Sequence, residues 1–211
     1  MRAIIFCGGN IIDYSLVKGF IESDDCLICA DSGAGHLRRL ALIPHWLVGD
    51  FDSVLGDDLS FFKSKGVLIE NYDVDKDYTD GELAVRKAID LGAKEIVIFG
   101  ATGGRIDHTL GNVFLLEKIY KKGVLAKIIS NNQEIMITKD SMELSGFKGG
   151  GISLFPLDQK VLGISVKGLK FPLNDETLYR GDTRGVSNEF LDDFAQINVK
   201  NGTLLVIKSI T

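Results

Sequence analysis

Apolar residues in the first part of the chain come in short, nearly continuous runs: AIIFC (3–7), CLICA (26–30), HWLVG (45–49), VLIEN (67–71), EIVIFG (95–100) and AKIIS (126–130). Runs this short, with few polar interruptions, predict strands covered on both faces. Between them the period changes. In TLGNVFLLEKIYKKG (109–123), Val113, Leu116 and Tyr120 share one helical face and Gly123 marks a stop. TDGELAVRKAIDLG (79–92) opens with Thr79 as a candidate N-cap and Glu82 three residues on, the capping-box spacing. Strands alternating with helices predict a mostly parallel, Rossmann-like α/β sheet.

Beyond about residue 131 the helical period disappears. QEIMIT, GISLFPL, KVLGISVKGLKFPL, AQINVKN and TLLVIKS read as strands divided by Gly, Asn and Asp turns. Asn201-Gly202, flanked by two such runs, predicts a hairpin. The expected organisation is therefore an α/β domain over 1–131 followed by an all-β domain over 132–211. No solenoid-period repeat or low-complexity tract interrupts either part.

Composition narrows the function classes. With 45% apolar and 25% charged residues the chain is expected to fold as an ordinary globular protein. A net charge of −5 supplies no global positive field for nucleic acid or an anionic membrane, so neither is an expected partner. The first ten residues lack a signal-peptide core and no run approaches membrane length. The odd set Cys7, Cys26 and Cys29 suits a reducing, cytoplasmic setting. Cys26 and Cys29 form a C-x-x-C, but it lies in a strand-like run without a second ligand pair, so a structural role is expected.

Ligands of open α/β sheets bind beyond the carboxyl ends of the strands. Polar clusters stand at four such ends, GGN (8–10), ADSGAG (30–35), GDFDS (49–53) and GATGGRIDH (100–108), while DVDKDYTD (73–80) leads into a helix. Asp50, Asp52, Asp57, Asp58, Asp75, Asp77 and Asp80 thus gather hard oxygen donors on loops, which suits Mg²⁺. Asp57 and Asp58 are better read as opening a helix whose dipole favours negative charge. Asp50 and Asp52 would share one side of an extended stretch, with Phe51 opposite. Gly103 and Gly104 allow backbone N–H groups to approach an anion, and Arg105 adds a planar cationic fork. Neither a P-loop nor G-x-G-x-x-G is present. Asp107 reads equally as a helix N-cap and His108 as a packed histidine. Asp31 is either part of a plain strand-to-helix turn or of a second anion nest. Trp46 reads as core, and His36 and His45 as surface or packing residues.

ADSGA, GDFDS, DKDYTD, GGRIDHTLGN, GLKFPL and GVSNEF, in that order, resemble the thiamine pyrophosphokinase family across nearly the whole chain. The resemblance implies transfer of the diphosphoryl group of ATP to the hydroxyl of thiamine, releasing AMP. It further implies an α/β catalytic, ATP-binding domain, a sandwich-like thiamine-binding and dimerisation domain, and a homodimer with sites between subunits. Asp50, Asp52 and Asp80 would then hold Mg²⁺ and diphosphate, with Arg105 as their cationic counterpart. The expected ATP set is Asp31, Asp77, Thr79, Gly103, Gly104, Arg105, Asp107, His108 and Asn112; Ser187 and Asn188 would hold the aminopyrimidine. The chain departs from the family pattern at Ser32, where Gly is usual, and at Gly81 after the Thr-Asp pair. No Trp follows Trp46, so Phe190 or Phe194 would supply the aromatic wall at thiamine.

Three other readings use the same residues. A pyrophosphokinase for another alcohol would share the catalytic domain. A phosphohydrolase would put water in place of the alcohol. A non-catalytic sensor would be expected to lack a metal ligand, and none of the three candidates is missing from the sequence.

Overall fold

The apolar runs of the first 131 residues become six strands, β1 (Arg2–Phe6), β2 (Cys26–Ala30), β3 (Trp46–Gly49), β4 (Leu68–Asn71), β5 (Glu95–Phe99) and β6 (Leu125–Ser130). A computed structural model describes residues 1–51, 56–73 and 77–210. The chain divides into two compact units, Met1–Asn131 and Asn132–Thr211. In the first unit the strands lie in the order β6-β5-β1-β2-β3-β4, with every pair parallel. Four of the five residues in each of β1, β2 and β5 are buried, as continuous apolar strands require. Phe6 stacks on Phe99 at 5.5 Å between ring centroids, and both are fully buried. Each such ring contributes roughly 1.5–3 kcal/mol by leaving water.

Among the described residues five α-helices connect the strands: α1 (Tyr14–Phe20), α2 (Ala34–Leu40), α3 (Gly56–Ser64), α4 (Asp80–Asp90) and α5 (Ile106–Tyr120). Asp13 caps α1 by accepting the N–H groups of Ser15 and Leu16. Thr79 caps α4 through the N–H of Glu82 at 3.2 Å. The Glu82 carboxylate does not complete a capping box; it turns to Arg86 and Lys118. Val113 and Leu116 of α5 are buried as the period predicts, with Tyr120 at the margin. Trp46 is half-buried rather than core, with Lys87 Nζ 3.5 Å from its ring centroid.

The second unit is all β: β7 (Gln133–Thr138), β8 (Ser141–Ser145), β9 (Gly151–Pro156), β10 (Lys160–Lys167), β11 (Leu173–Tyr179), β12 (Asn188–Glu189), β13 (Phe194–Asn198) and β14 (Leu204–Ser209). Within it β12-β9-β14-β7 are neighbours in one sheet and β11-β10-β13-β8 in another, all antiparallel. Alternate residues of β9 are buried, the period-2 pattern of a sheet with one core face. Val161, Ile164, Ile197, Leu204 and Val206 join strands of both sheets in one apolar cluster.

The Asn201-Gly202 hairpin does not form. β13 pairs with β8 and β10, whereas β14 pairs with β7 and β9. The dipeptide instead carries the chain from one sheet to the other, with Gly202 at φ 105 and the Asn201 N–H on the Leu162 carbonyl. Local turn chemistry is the same in both cases; the core decides which strands pair. Among the described residues no helix is long and apolar enough to cross a membrane.

Candidate active site

Strand order reverses at β1. The chain runs outward through β2, β3 and β4, then returns to place β5 on the other side of β1. The carboxyl ends of β1 and β5 therefore mark the switch point, the place at which such sheets bind ligands. A cleft of about 520 Å³ lies there, lined by parts of GGN, ADS, Asp50, Thr79–Gly81 and the 100–112 segment.

Backbone contacts hold its walls. The N–H groups of Cys7, Gly9 and Asn10 donate to the carbonyls of Phe99, Gly100 and Thr102 at 2.8, 2.7 and 3.0 Å, extending the β1–β5 ladder into the loops. His36 braces the same loop from behind: Nε2 lies 2.8 Å from the Gly9 carbonyl and Nδ1 2.7 Å from the Tyr14 hydroxyl. Burial lowers the His36 pKa, opposed by the Gly9 carbonyl, so the ring favours its neutral form.

The acidic wall is assembled from three elements. Asp31 is buried in a 3-10 turn after β2, Asp50 follows β3 and is half-buried, and Asp80 begins α4. Gly49 lets them converge. A Cβ built there would stand 3.1 Å from the Asp31 Cβ and 3.1 Å from Asp80 Oδ1, so only a glycine leaves both carboxylates in place. Gly81 acts similarly one residue on: its Cβ would lie 3.2 Å from Asn112 Oδ1 and 3.5 Å from Cys7 Sγ. The residue that departs from the family pattern thus allows α4 to start close against α5. At the other departure, exposed Ser32 lines the cleft beside Gly8.

The other wall is cationic and glycine-rich. Arg105 precedes α5, and its guanidinium grips Asp107 through Nη2–Oδ2 at 2.6 Å and Nε–Oδ1 at 3.3 Å. Both side chains are exposed, and the pairing brings the Asp107 carboxyl down to about 2. Asp107 is therefore in the first turn of α5 rather than its N-cap. His108 is exposed and lines the cleft. Asn112 lines it too, held by Nδ2 donating to the Ala101 carbonyl at 2.7 Å.

Of the expected nucleotide and metal residues, Asp31, Asp50, Thr79, Asp80, Gly103, Gly104, Arg105, His108 and Asn112 meet at this one cleft. Asp77 and Asp107 are exposed and not part of its lining. Asp52 and Asp75 lie outside the described residues. The strand alternation meant to align Asp50 with Asp52 stops at Phe51, whose φ is 62. Asp57 and Asp58 open α3 as expected, and Asp58 accepts from Arg38 Nε at 3.1 Å. Cys7, Thr102 and Thr109 also line the cleft and carried no chemical signal in the sequence. Burial, reinforced by the Asp80 charge, pushes the Cys7 thiol up to about 12, so it is an inert wall. Burial likewise raises Cys29, which supports the structural reading of C-x-x-C.

Among the described residues no group of three His, Cys, Asp or Glu is arranged to hold a metal. Asp50 and Asp80 nonetheless share the cleft, and a hard cation that takes one or two carboxylates and fills its shell with water and phosphate suits that donor set.

In the second unit, Ser187 is exposed at φ 61, with its N–H on Ser153 Oγ at 3.1 Å. Asn188 is buried and clamps Phe171: Oδ1 accepts the Phe171 N–H at 3.0 Å and Nδ2 donates to its carbonyl at 2.8 Å. Phe190, expected at the thiamine wall, is instead a core residue only 2% exposed, its ring packed over Gly146. Phe194 is 70% exposed. Ser187 and Asn188 border a groove of about 360 Å³ with Ser153, Glu189 and Lys208.

An acidic wall facing an arginine-and-glycine loop, at the switch point of a parallel sheet, defines an α/β protein of the phosphate-handling class. Residues 17–128 match the family model "Thiamin pyrophosphokinase, catalytic domain" and residues 132–204 match "Thiamin pyrophosphokinase, vitamin B1 binding domain". The chain belongs to the thiamin pyrophosphokinase family. It is 30% identical to thiamine pyrophosphokinase of Bacillus subtilis (strain 168) over 201 residues, covering 92% of this chain and 91% of the relative. The crystal structure of the enzyme from B. subtilis superposes with a TM-score of 0.90 at 29% identity, covering 99% of both chains. That of thiamin pyrophosphokinase from Geobacillus thermodenitrificans gives 0.87 at 27% identity, covering 99% and 97%.

Proposed function

We propose that this protein transfers the β,γ-diphosphoryl group of ATP to the hydroxyethyl oxygen of thiamine, giving thiamine diphosphate and AMP. The observation that carries the reading is the single cleft that Asp50 and Asp80 share with the Gly103–Arg105 loop, in a chain whose residues 17–128 and 132–204 match the two family domains. In the reaction the alcohol oxygen bonds to the β-phosphorus, the bridging bond to the α-phosphate breaks, and AMP leaves with that electron pair. Diphosphoryl transfer asks the protein chiefly for positioning and charge neutralisation.

Asp50, Asp52 and Asp80 would hold Mg²⁺, which when bound neutralises charge on the diphosphoryl oxygens. Arg105 exchanges its Asp107 partner for phosphate, a step favoured by the exposure of both side chains. Gly104 has open space around it for an approaching phosphate, and His108 and Asn112 complete that side. Asp31 and Thr79 border the nucleotide, and Asp77 is the flanking carboxylate at the loop. A carboxylate of the acidic wall accepts the alcohol proton. Ser187 holds the aminopyrimidine, with Asn188 fixing the adjoining backbone through Phe171 and Phe194 as the exposed aromatic wall. The working form is a cytoplasmic homodimer whose sites lie between subunits, with a Rossmann-like first domain and a sandwich-like second.

The test is nucleotide product analysis with ATP, Mg²⁺ and thiamine, against controls without thiamine or with chelator. AMP and thiamine diphosphate formed together, only with thiamine and metal, are expected. AMP formed equally without thiamine would identify a hydrolase, and ADP a simple kinase.

A further inference from the structure

The Gly103–Arg105 loop is held differently on its two sides. Its start is fixed to the loop that follows β1: Asn10 N–H donates to the Thr102 carbonyl, and a Cβ on Gly103 would stand only 3.2 Å from Asn10 N. One residue of α5 ties its first residue to its last. The Thr109 hydroxyl accepts the Gly103 N–H at 3.3 Å and donates to the Arg105 carbonyl at 3.1 Å, while the Thr109 N–H donates to that same carbonyl at 3.1 Å. Gly104, between the two tethered residues, has nothing within 4 Å of where its Cβ would be. Thr109 is half-buried and itself lines the cleft.

We infer that Thr109 is a positioning residue for the anionic substrate, its hydroxyl latching Gly103 to Arg105 so that the loop presents its amides and guanidinium to the polyphosphate. The inference deepens the proposed reaction and rests on it for the identity of the anion. A loop of two glycines and an arginine samples many backbone states, and glycine loses more freedom on ordering than any other residue. Without the latch that ordering cost falls on substrate binding, and affinity drops accordingly. The latch spans only the loop and the first turn of α5, so the acidic wall is untouched.

The experiment compares Thr109→Val, which keeps the shape and removes the hydroxyl, with Thr109→Ser, which keeps the hydroxyl. T109V is expected to raise KM for ATP about tenfold, the effect of losing about one hydrogen bond. Its kcat and KM for thiamine should stay within about threefold, and T109S should stay within about twofold of the parent throughout. An unchanged KM for ATP in T109V overturns the inference, and so does T109S impaired as severely as T109V, since shape and not the hydroxyl would then matter. If T109V melts without cooperativity, Thr109→Ala is read in its place against the same criteria. If the parent protein forms no thiamine diphosphate, the functional reading fails separately. Direct calorimetric titration with Mg-ATP then decides the latch by the same tenfold and twofold criteria.

Discussion

Gly49 and Asp80 lie side by side in the acidic wall: Asp80 Oδ1 is 3.1 Å from the point where a Cβ on Gly49 would stand. The contact joins the end of β3 to the start of α4, and Asp31 meets the same glycine from the other side. One missing side chain therefore sets the spacing of the acidic wall. At φ 151, Gly49 also occupies backbone space that other residues seldom enter.

Gly49→Ala is expected to lower kcat/KM at least about tenfold by displacing the carboxylates. Backbone strain should destabilise the fold by about 1–3 kcal/mol. Steady-state kinetics and urea denaturation of the same preparation check both effects together.

Asp80→Asn keeps the shape of the side chain and removes its charge. A loss of about 10²–10³ in kcat is expected, the scale found when a group that stabilises transferring charge is deleted. The melting temperature should move by only a few degrees, since Asp80 is half-exposed at a helix start whose cap is Thr79. Turnover near the parent's would remove Asp80 from the reaction.

Asp25 offers a pH-dependent test away from the cleft. It is 5% exposed and accepts two bonds from Arg2, Nε–Oδ1 and Nη2–Oδ2, each 2.8 Å, and the Glu22 N–H at 2.7 Å. Burial pushes its pKa up, but the Arg2 and Glu22 hydrogen bonds outweigh that and the net shift is downward. A carboxylate with a lowered folded pKa contributes stability above its unfolded pKa of about 3.9, and loses it as pH falls through the folded value. Asp25→Asn should cost about 1–3 kcal/mol at pH 7 by removing the charge that Arg2 grips twice, with Glu22 and the Phe20 carbonyl still on the guanidinium. The gap between variant and parent should narrow below about pH 4. Urea midpoints measured from pH 7 to pH 3 would show whether it does.

Asn188→Ala tests a side chain that clamps backbone and has been assigned to substrate. Loss of the amide leaves both the N–H and the carbonyl of Phe171 without their partner, so about 1–3 kcal/mol of stability should be lost with or without thiamine. Ser187→Ala, at an exposed position, should leave stability within about 0.5 kcal/mol. Denaturation of the two variants separates the clamp from its neighbour.

Sequence patterning and the tertiary structure settled different things. Continuous apolar runs need cover on both faces, so six parallel strands and the change to an all-β unit after residue 131 could be read from local order alone. Polar clusters at strand ends were legible too, because a parallel sheet delivers all those ends to one edge. What patterning could not decide was which distant segments meet. Asn201-Gly202 has the chemistry of a hairpin, but burial on two faces sends its flanking strands to different sheets. Phe190 reads like an aromatic available to a ligand, but it is spent on the core. Asn188, a substrate contact only by family resemblance, is committed to Phe171, and Thr109 reads like any helical threonine and closes the loop before its own helix. Local propensity and hydrophobic period act over a few residues, so local order specifies the elements and the residue types at the site. The convergence of Asp31, Asp50 and Asp80 around Gly49 depends on strand order and close backbone approach, which only the packed tertiary structure decided.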